Sequence, residues 1–406
     1  MKYLIFISLT FFICQQFIYA QENKFTIGIF DAWKGYESQP NGNKTNLDKI
    51  NSNSDINTIQ SYAYWNVWDH GTLQDVDAFL NQASGLGLKV LLCIPFNSPD
   101  NETPFINRIP PDYNYAAQLI NHTISSEAVY GYYIADEPCD SLHYQRKISP
   151  ANLQKAYTYF MDLIKNQGKN RPLLIADDFS LWDPKPYSSC ADIFINDTYI
   201  VDNDAKWSGN LNKLDSLIIK TGPSKSVQSL IAAFSEGASN KKNNYNQIRF
   251  QIFTSIIHGT KGIWFYSYKD SYEPPEINYI KPSEYFQNVI SPVTGEIKEI
   301  NDFLFTQNLG SYITGVKSGT DISPNNTNIE YAIKKINNDY LIIAANLSGK
   351  EITLDDQTGF NLGNLSRSDI ITQCSVIGES RDIVIHNRVL VDTFGSYSVH
   401  IYLINP

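Results

Sequence analysis

The 406-residue chain is poor in sulfur and in histidine, with five cysteines, two methionines and six histidines. Cys14 lies in an N-terminal apolar run, and Cys93, Cys139, Cys190 and Cys374 are too scattered for a zinc site or a disulfide-dense scaffold. Cys93 and Cys139 end consecutive predicted strands, which leaves a disulfide and buried free thiols both open. His70, His122, His143, His258, His386 and His400 do not cluster, so neither a metal site nor a cofactor is expected. Long runs of one charge are missing too. The formal charge of −10 is spread along the chain, which argues against nucleic acid or an anionic membrane as partner and suits an uncharged one.

Residues 1–20 carry Lys2, then an apolar run through Leu4, Ile5, Phe6, Ile7, Phe11, Phe12 and Ile13, and end at Ile18-Tyr19-Ala20. That reads as a secretory signal peptide and predicts a secreted protein, extracellular or periplasmic. A lipid anchor at Cys14 is weakly supported, because Ile13 precedes it in place of a small residue. No later apolar run is long enough to span a bilayer, so membrane insertion is not expected.

From residue 24 to 309, short strand-like runs alternate with helical ones. Strands are predicted over Phe25–Phe30, Ile56–Tyr64, Leu88–Ile94, Val129–Pro138, Pro172–Ala176, Ala191–Ile195, Val227–Phe234 and Gly262–Tyr268. Between them, helical spacing recurs after Thr72, near Tyr115–Ile124, after Pro150, around Leu211–Ile219 and over Tyr245–Ile257, with a last helix near Gly295–Leu304. Eight strand-then-helix units whose strands are apolar on both faces predict an α/β fold, a (β/α)8 barrel. From residue 310 to 406 the texture changes to strand-like runs alone, Ile329–Ile336, Tyr340–Ala345, Ile383–Val391 and Tyr397–Ile404, split by Asn, Gly, Ser and Asp. This predicts a smaller C-terminal antiparallel β-sandwich.

The fourth predicted strand, Val-Tyr-Gly-Tyr-Tyr-Ile-Ala-Asp-Glu-Pro, ends in Asp136 and Glu137, and Pro138 stops the ladder. Strict alternation puts Glu137 on the face of Gly131, Tyr133 and Ala135, with Asp136 on the other. Reactive groups of such barrels lie at the carboxyl ends of the strands, and those ends supply Asp31, Glu137, Asp177, Asp178, Asp197, Tyr199 and Glu236. Five of the six tryptophans, Trp33, Trp65, Trp68, Trp182 and Trp207, fall at or just beyond predicted strand ends. Flat apolar rings among carboxylates suit carbohydrate, whose C–H faces stack while its hydroxyls take hydrogen bonds. Packing of loop aromatics explains any one of these tryptophans but less well all five together.

Two carboxyl groups flanking a glycosidic bond can hydrolyse it, and Glu137 and Glu236, ending the fourth and seventh strands, are the best pair. In this respect the sequence resembles clan A of the retaining glycoside hydrolases. In that clan an acid/base glutamate ends strand four in Asn-Glu-Pro and a nucleophile glutamate ends strand seven. The resemblance implies Glu137 as acid and base, Glu236 as nucleophile, and Tyr199 as the strand-six tyrosine that orients it. Asp136 stands where the clan has asparagine, Asp197 where many members have histidine, and Trp264, Tyr266 or Tyr268 where strand eight carries a tryptophan. Candidate substrate contacts are Asp31, Trp33, Trp65, Asp136, Asp178, Trp182, Asp197, Tyr199, Trp207 and Tyr266. A neutral glycan is the expected substrate. Two other readings stay open: a barrel that binds carbohydrate without cleaving it, and an inverting hydrolase that pairs Glu137 with Asp197 or Asp178.

Overall fold

The computed structural model describes residues 24–30, 43–61, 73–94, 113–139, 148–179, 183–234, 242–268, 284–365 and 371–405. The predicted signal segment lies outside them. Eight parallel strands close into a barrel in sequence order: β1 (Thr26–Ile29), β2 (Thr58–Ser61), β3 (Lys89–Cys93), β4 (Val129–Asp136), β5 (Leu173–Asp177), β6 (Ile193–Asn196), β7 (Ser226–Ala232) and β8 (Gly262–Tyr266). Closure is direct, since β1 pairs with both β2 and β8. Between the strands run α1 (Asn43–Asn53), α2 (Leu73–Gly85), α3 (Asn114–Thr123), α4 (Pro150–Asn166), α5 (Asp204–Thr221) and α6 (Tyr245–Ile257), with a 3-10 turn at Lys185–Tyr187 in place of a helix between β5 and β6. A π-helical turn, Phe286–Ile290, leads into α7 (Ser291–Glu299) and the short α8 (Asn301–Leu304).

The helices form for local reasons that the sequence carries. At α4, Ser149 accepts a hydrogen bond from the Asn152 N–H at 3.2 Å, Pro150 takes the first turn, and Leu153, Ala156, Phe160 and Ile164 form the buried stripe. Burying Phe160 alone contributes about 1.5–3 kcal/mol, and Phe160→Ser would strip the stripe of its largest member. Two helices differ from expectation. No helix is predicted between the first two strands, because α1 is polar and buries Leu47 and Ile50 as its apolar contacts. In α5 the Asn203 side chain caps the Lys206 N–H at 2.9 Å and starts the helix at Asp204, seven residues before its predicted start at Leu211.

The barrel interior is filled in layers. Low in the barrel, the Tyr130 phenol meets Thr26 Oγ1 and Gln228 Nε2, each at 3.1 Å, and the Trp264 indole donates to Gln228 Oε1 at 2.6 Å. β4 faces β1, β7 and β8 across the interior, so these polar groups satisfy one another there. Gly28 has no room for a side chain, since an added Cβ would lie 2.2 Å from the Trp264 ring. Above this layer Phe30 packs on Trp264, Tyr133 and Tyr266, with ring centroids 5.1, 5.7 and 6.0 Å apart.

The C-terminal strands are β9 (Gly310–Ile313), β10 (Val316–Gly319), β11 (Ile329–Ile336), β12 (Asp339–Asn346), β13 (Ile352–Thr353), β14 (Phe360–Asn361), β15 (Gln373–Val376), β16 (Arg381–Val384), β17 (Val389–Leu390), β18 (Thr393–Phe394) and β19 (Val399–Ile404). Seven of them form one antiparallel sheet in the order β10-β9-β11-β12-β19-β15-β16. Alternation is kept along these strands: Ala332, Leu341, Ile343, Ala345, Val399 and Ile401 join the core of the barrel. Tyr331, Ile333, Tyr340, Ile342, Tyr402 and Ile404 form a second core on the opposite face, covered by the ribbons β13–β18 and β14–β17. The second layer of the sandwich is thus two short ribbons.

Candidate active site

The site is built where the parallel strands end. β4 carries two irregularities that set its side-chain directions. Val90 faces Val129 while Leu91 faces Gly131, leaving Tyr130 extra, and Tyr133 faces Leu174 while Ala135 faces Ile175, leaving Ile134 extra. Each extra residue offsets the alternation by one. The predicted separation of Tyr133 from Asp136 onto opposite faces is therefore corrected, for the Tyr133 phenol donates a hydrogen bond to Asp136 Oδ1.

Glu137 leaves the strand with φ +44°, a left-handed conformation uncommon for a residue with a side chain, while its N–H still donates to the Ala176 carbonyl at 2.8 Å. Its carboxyl is half-buried and Asp136 is exposed. Both acids act electrostatically on Asp197 and Tyr199, so both reach the same rim.

From β5 come Asp177, its last residue, and Asp178, one further on. Asp177 is 1% exposed and its Oδ2 accepts the Cys139 N–H at 2.6 Å. Burial first, then the charges of Asp178 and Asp136, outweigh that hydrogen bond and raise its pKa to about 6. Half-buried Asp178 accepts a hydrogen bond from Thr198 Oγ1 at 2.9 Å.

Just beyond β6, Asp197 is 2% exposed. Burial, and then the charges of Asp177, Glu137, Asp136 and Asp178, hold its carboxyl well above the usual range. Tyr199 is half-buried, and its phenol is pushed up by burial and by Asp197. Its ring lies 5.2 Å from Phe234 and 5.7 Å from Tyr266. Asp136, Glu137, Asp178, Asp197, Tyr199 and Tyr266 are thus gathered at one rim over an aromatic floor.

Other expectations resolve differently. Trp207 is not a stacking residue of the cleft: it lies in the first turn of α5, is 4% exposed, and its indole N–H donates to Thr254 Oγ1 of α6 at 2.9 Å. Because the helix starts earlier than its apolar spacing suggested, a tryptophan read as loop is a helix-packing residue. On strand eight, Trp264 is wholly buried inside the barrel and Tyr268 is buried, which leaves Tyr266, packed on Tyr199, as the aromatic residue at the rim. Cys93, Cys139, Cys190 and Cys374 are buried thiols, so no disulfide joins Cys93 to Cys139. Asp31, Trp33, Trp65, Trp68, Trp182 and Glu236 lie outside the described residues.

Phe30, Thr198 and Phe234 complete the site and were not anticipated; Phe30 closes its predicted strand, a position whose inward direction only barrel closure fixes. Among the described residues no group of three or more His, Cys, Asp or Glu could hold a metal ion, and no helix is long and apolar enough to cross a membrane.

No protein-family model and no curated protein matches the sequence. Solved structures do resemble it. The alpha-amylase of Geobacillus thermoleovorans complexed with acarbose superposes with a TM-score of 0.58 at 11% identity, covering 95% of this chain and 98% of its own. A GH30 endoxylanase from Clostridium papyrosolvens gives a TM-score of 0.54 at 14% identity, over 94% and 97% of the two chains. A maltogenic alpha-amylase from Thermotoga neapolitana gives 0.57 at 12% identity, over 94% and 99%. At this identity the likeness establishes a shared fold, a (β/α)8 barrel that these amylases and this xylanase also use.

Proposed function

We propose that the protein is a secreted glycoside hydrolase that cleaves O-glycosidic bonds of a neutral oligo- or polysaccharide. The observation that carries this is the rim itself: Asp136, Glu137, Asp178 and Asp197 gathered beside Tyr199 and Tyr266 at the carboxyl ends of a closed barrel. Carboxylates over aromatic rings fit a sugar, which offers hydroxyls to one and C–H faces to the other. The names of the solved structures that share the fold support the reading, since they are amylases and a xylanase, one complexed with acarbose. The apolar run of residues 1–20 supports export.

In this reading Glu137 protonates the leaving oxygen, and Glu236, which follows the end of β7 by four residues, attacks the anomeric carbon to form a glycosyl-enzyme. Glu137 then acts as base for the water that releases the product. Tyr199, kept protonated by burial and by Asp197, is a donor suited to an ionised nucleophile. The inverting alternative with Asp197 as base is less well supported, because burial and the surrounding acids favour the neutral form of its carboxyl.

The test is turnover by the purified full chain on a panel of aryl glycosides and neutral polysaccharides. Release of new reducing ends, lost in Glu137→Gln, is expected. Saturable binding of a glycan without release would replace the hydrolase with a binding barrel.

A further inference from the structure

Asp177, the last residue of β5, has no part in the proposed bond-making. Gln228 of β7 points inside the barrel, where it meets Tyr130 and Trp264, and it stands in register with Ile195 of β6, which pairs in turn with Ala176 of β5. One residue further on, Asp177 and its partner Asn196 therefore point outwards, to the helix side of the sheet. Asp177 is 1% exposed and cannot touch a sugar held in the mouth of the barrel. What it touches is the chain on either side. Its Oδ2 accepts the Cys139 N–H at 2.6 Å, and its carbonyl accepts the N–H groups of Phe179 at 2.9 Å and Asp197 at 3.1 Å. One residue thus joins the ends of β4, β5 and β6, which carry Glu137, Asp178 and Asp197. The two carbonyl bonds would survive any replacement of the side chain; the bond to Cys139 would not.

That bond bears on Glu137. With φ +44°, Glu137 holds a conformation that a residue with a side chain keeps only where its surroundings enforce it. Before it, its own N–H is fixed to the Ala176 carbonyl at 2.8 Å. After it comes Pro138, which has no N–H to give and whose carbonyl accepts from Ile148 at 3.0 Å. Cys139, 2% exposed, is the first residue after Glu137 whose N–H can tie the chain back to the barrel, and it does so on Asp177. We propose that Asp177 is a positioning residue: by accepting the Cys139 N–H it latches the chain beyond Glu137 to β5 and so aims the Glu137 carboxyl at the leaving oxygen. The proposal rests on the reading of Glu137 as the acid. The role asks for an acceptor oxygen and not for a charge, since an amide oxygen accepts an N–H as a carboxylate does.

Two replacements in the full chain separate acceptor from charge. Asp177→Leu keeps the branched shape and removes the acceptor, whereas Asp177→Asn keeps an acceptor and removes the charge. On a natural glycan, whose leaving hydroxyl needs the proton, Asp177→Leu should lower kcat/KM at least about tenfold through kcat, with KM at the parental value. On an activated aryl glycoside, whose leaving group needs none, the same variant should stay within about twofold of the parent. Asp177→Asn should match the parent on both. Parental turnover of the natural glycan by Asp177→Leu, or equal loss on the two substrates, overturns the proposal, and so does an Asp177→Asn variant as impaired as Asp177→Leu. Should Asp177→Leu not fold, Asp177→Ala carries the same comparison. Amide hydrogen exchange reads the latch without substrate: the peptide that holds Cys139 should exchange faster in Asp177→Leu and at the parental rate in Asp177→Asn, and unchanged exchange in Asp177→Leu overturns the latch. A parent that turns over neither substrate defeats the reading of Glu137 and the positioning role with it, and the exchange result then stands for the latch alone.

Discussion

The phenol of Tyr133 donates a hydrogen bond to the carboxylate of Asp136, three residues along the same strand. Regular alternation would set these two side chains on opposite faces; the extra residue at Ile134 brings them onto one. Tyr133 also packs on Phe30 in the aromatic layer, so the bond ties the acidic rim to the floor beneath it. Tyr133→Phe keeps the ring and loses the bond. It should lower stability in urea unfolding by about 1 kcal/mol, and kcat/KM several-fold. A variant with parental values for both would show that the bond orients nothing.

Glu137 holds a positive φ that glycine adopts freely and other residues adopt at a cost of roughly 1–2 kcal/mol. Such a conformation persists where the surrounding structure and the function require it. Glu137→Gly should leave the unfolding free energy unchanged or raise it by up to about 1 kcal/mol while abolishing turnover. Loss of stability in that variant would mean that the carboxyl supports the fold.

Much of this was legible in the sequence because it depends on local pattern. Eight runs apolar on both faces gave the barrel, and the Asp-Glu-Pro stop gave the rim of β4. What was not legible depends on tertiary geometry. No local signal announces a bulge at Ile134, since a tyrosine and a β-branched residue in an apolar run read as regular strand. Nor does composition tell Trp207 in a loop from Trp207 in a first helical turn, where the Asn203 cap decides. The ribbons β13–β18 and β14–β17 are of two-residue strands, too short for a period to show.

Trp207 now carries a prediction opposite to that of a stacking residue. Trp207→Ala removes a buried indole and its hydrogen bond to Thr254, so stability should fall by about 3–5 kcal/mol while KM for a soluble glycan stays at the parental value. A raised KM with parental stability would return Trp207 to the cleft.

Barrel and C-terminal sheet are joined through His258, whose Nδ1 lies 2.7 Å from Asp215 of α5 and whose Nε2 lies 2.8 Å from Glu330 of β11. Burial alone would push the imidazole pKa down, but the hydrogen bonds and charges of the two carboxylates raise it from 6.5 to about 9. Because the folded value is the higher one, the charged clamp stabilises the fold fully below about pH 6.5, and the contribution is lost as pH rises through about 9. His258→Gln should therefore cost on the order of 3 kcal/mol at pH 6 and much less at pH 10, read from Tm across the range. A loss independent of pH would mean that His258 is held neutral.

The central claim is that the carboxyl at the end of β4 supplies the proton to a leaving sugar. Its most direct measurement compares Glu137→Ala with the parent on two kinds of substrate, an activated aryl glycoside whose leaving group needs no proton and a natural glycan whose leaving hydroxyl does. The account predicts that the variant keeps formation of the glycosyl-enzyme from the activated substrate and loses turnover of the natural one by at least about a hundredfold. Equal turnover of the natural glycan by variant and parent would contradict it.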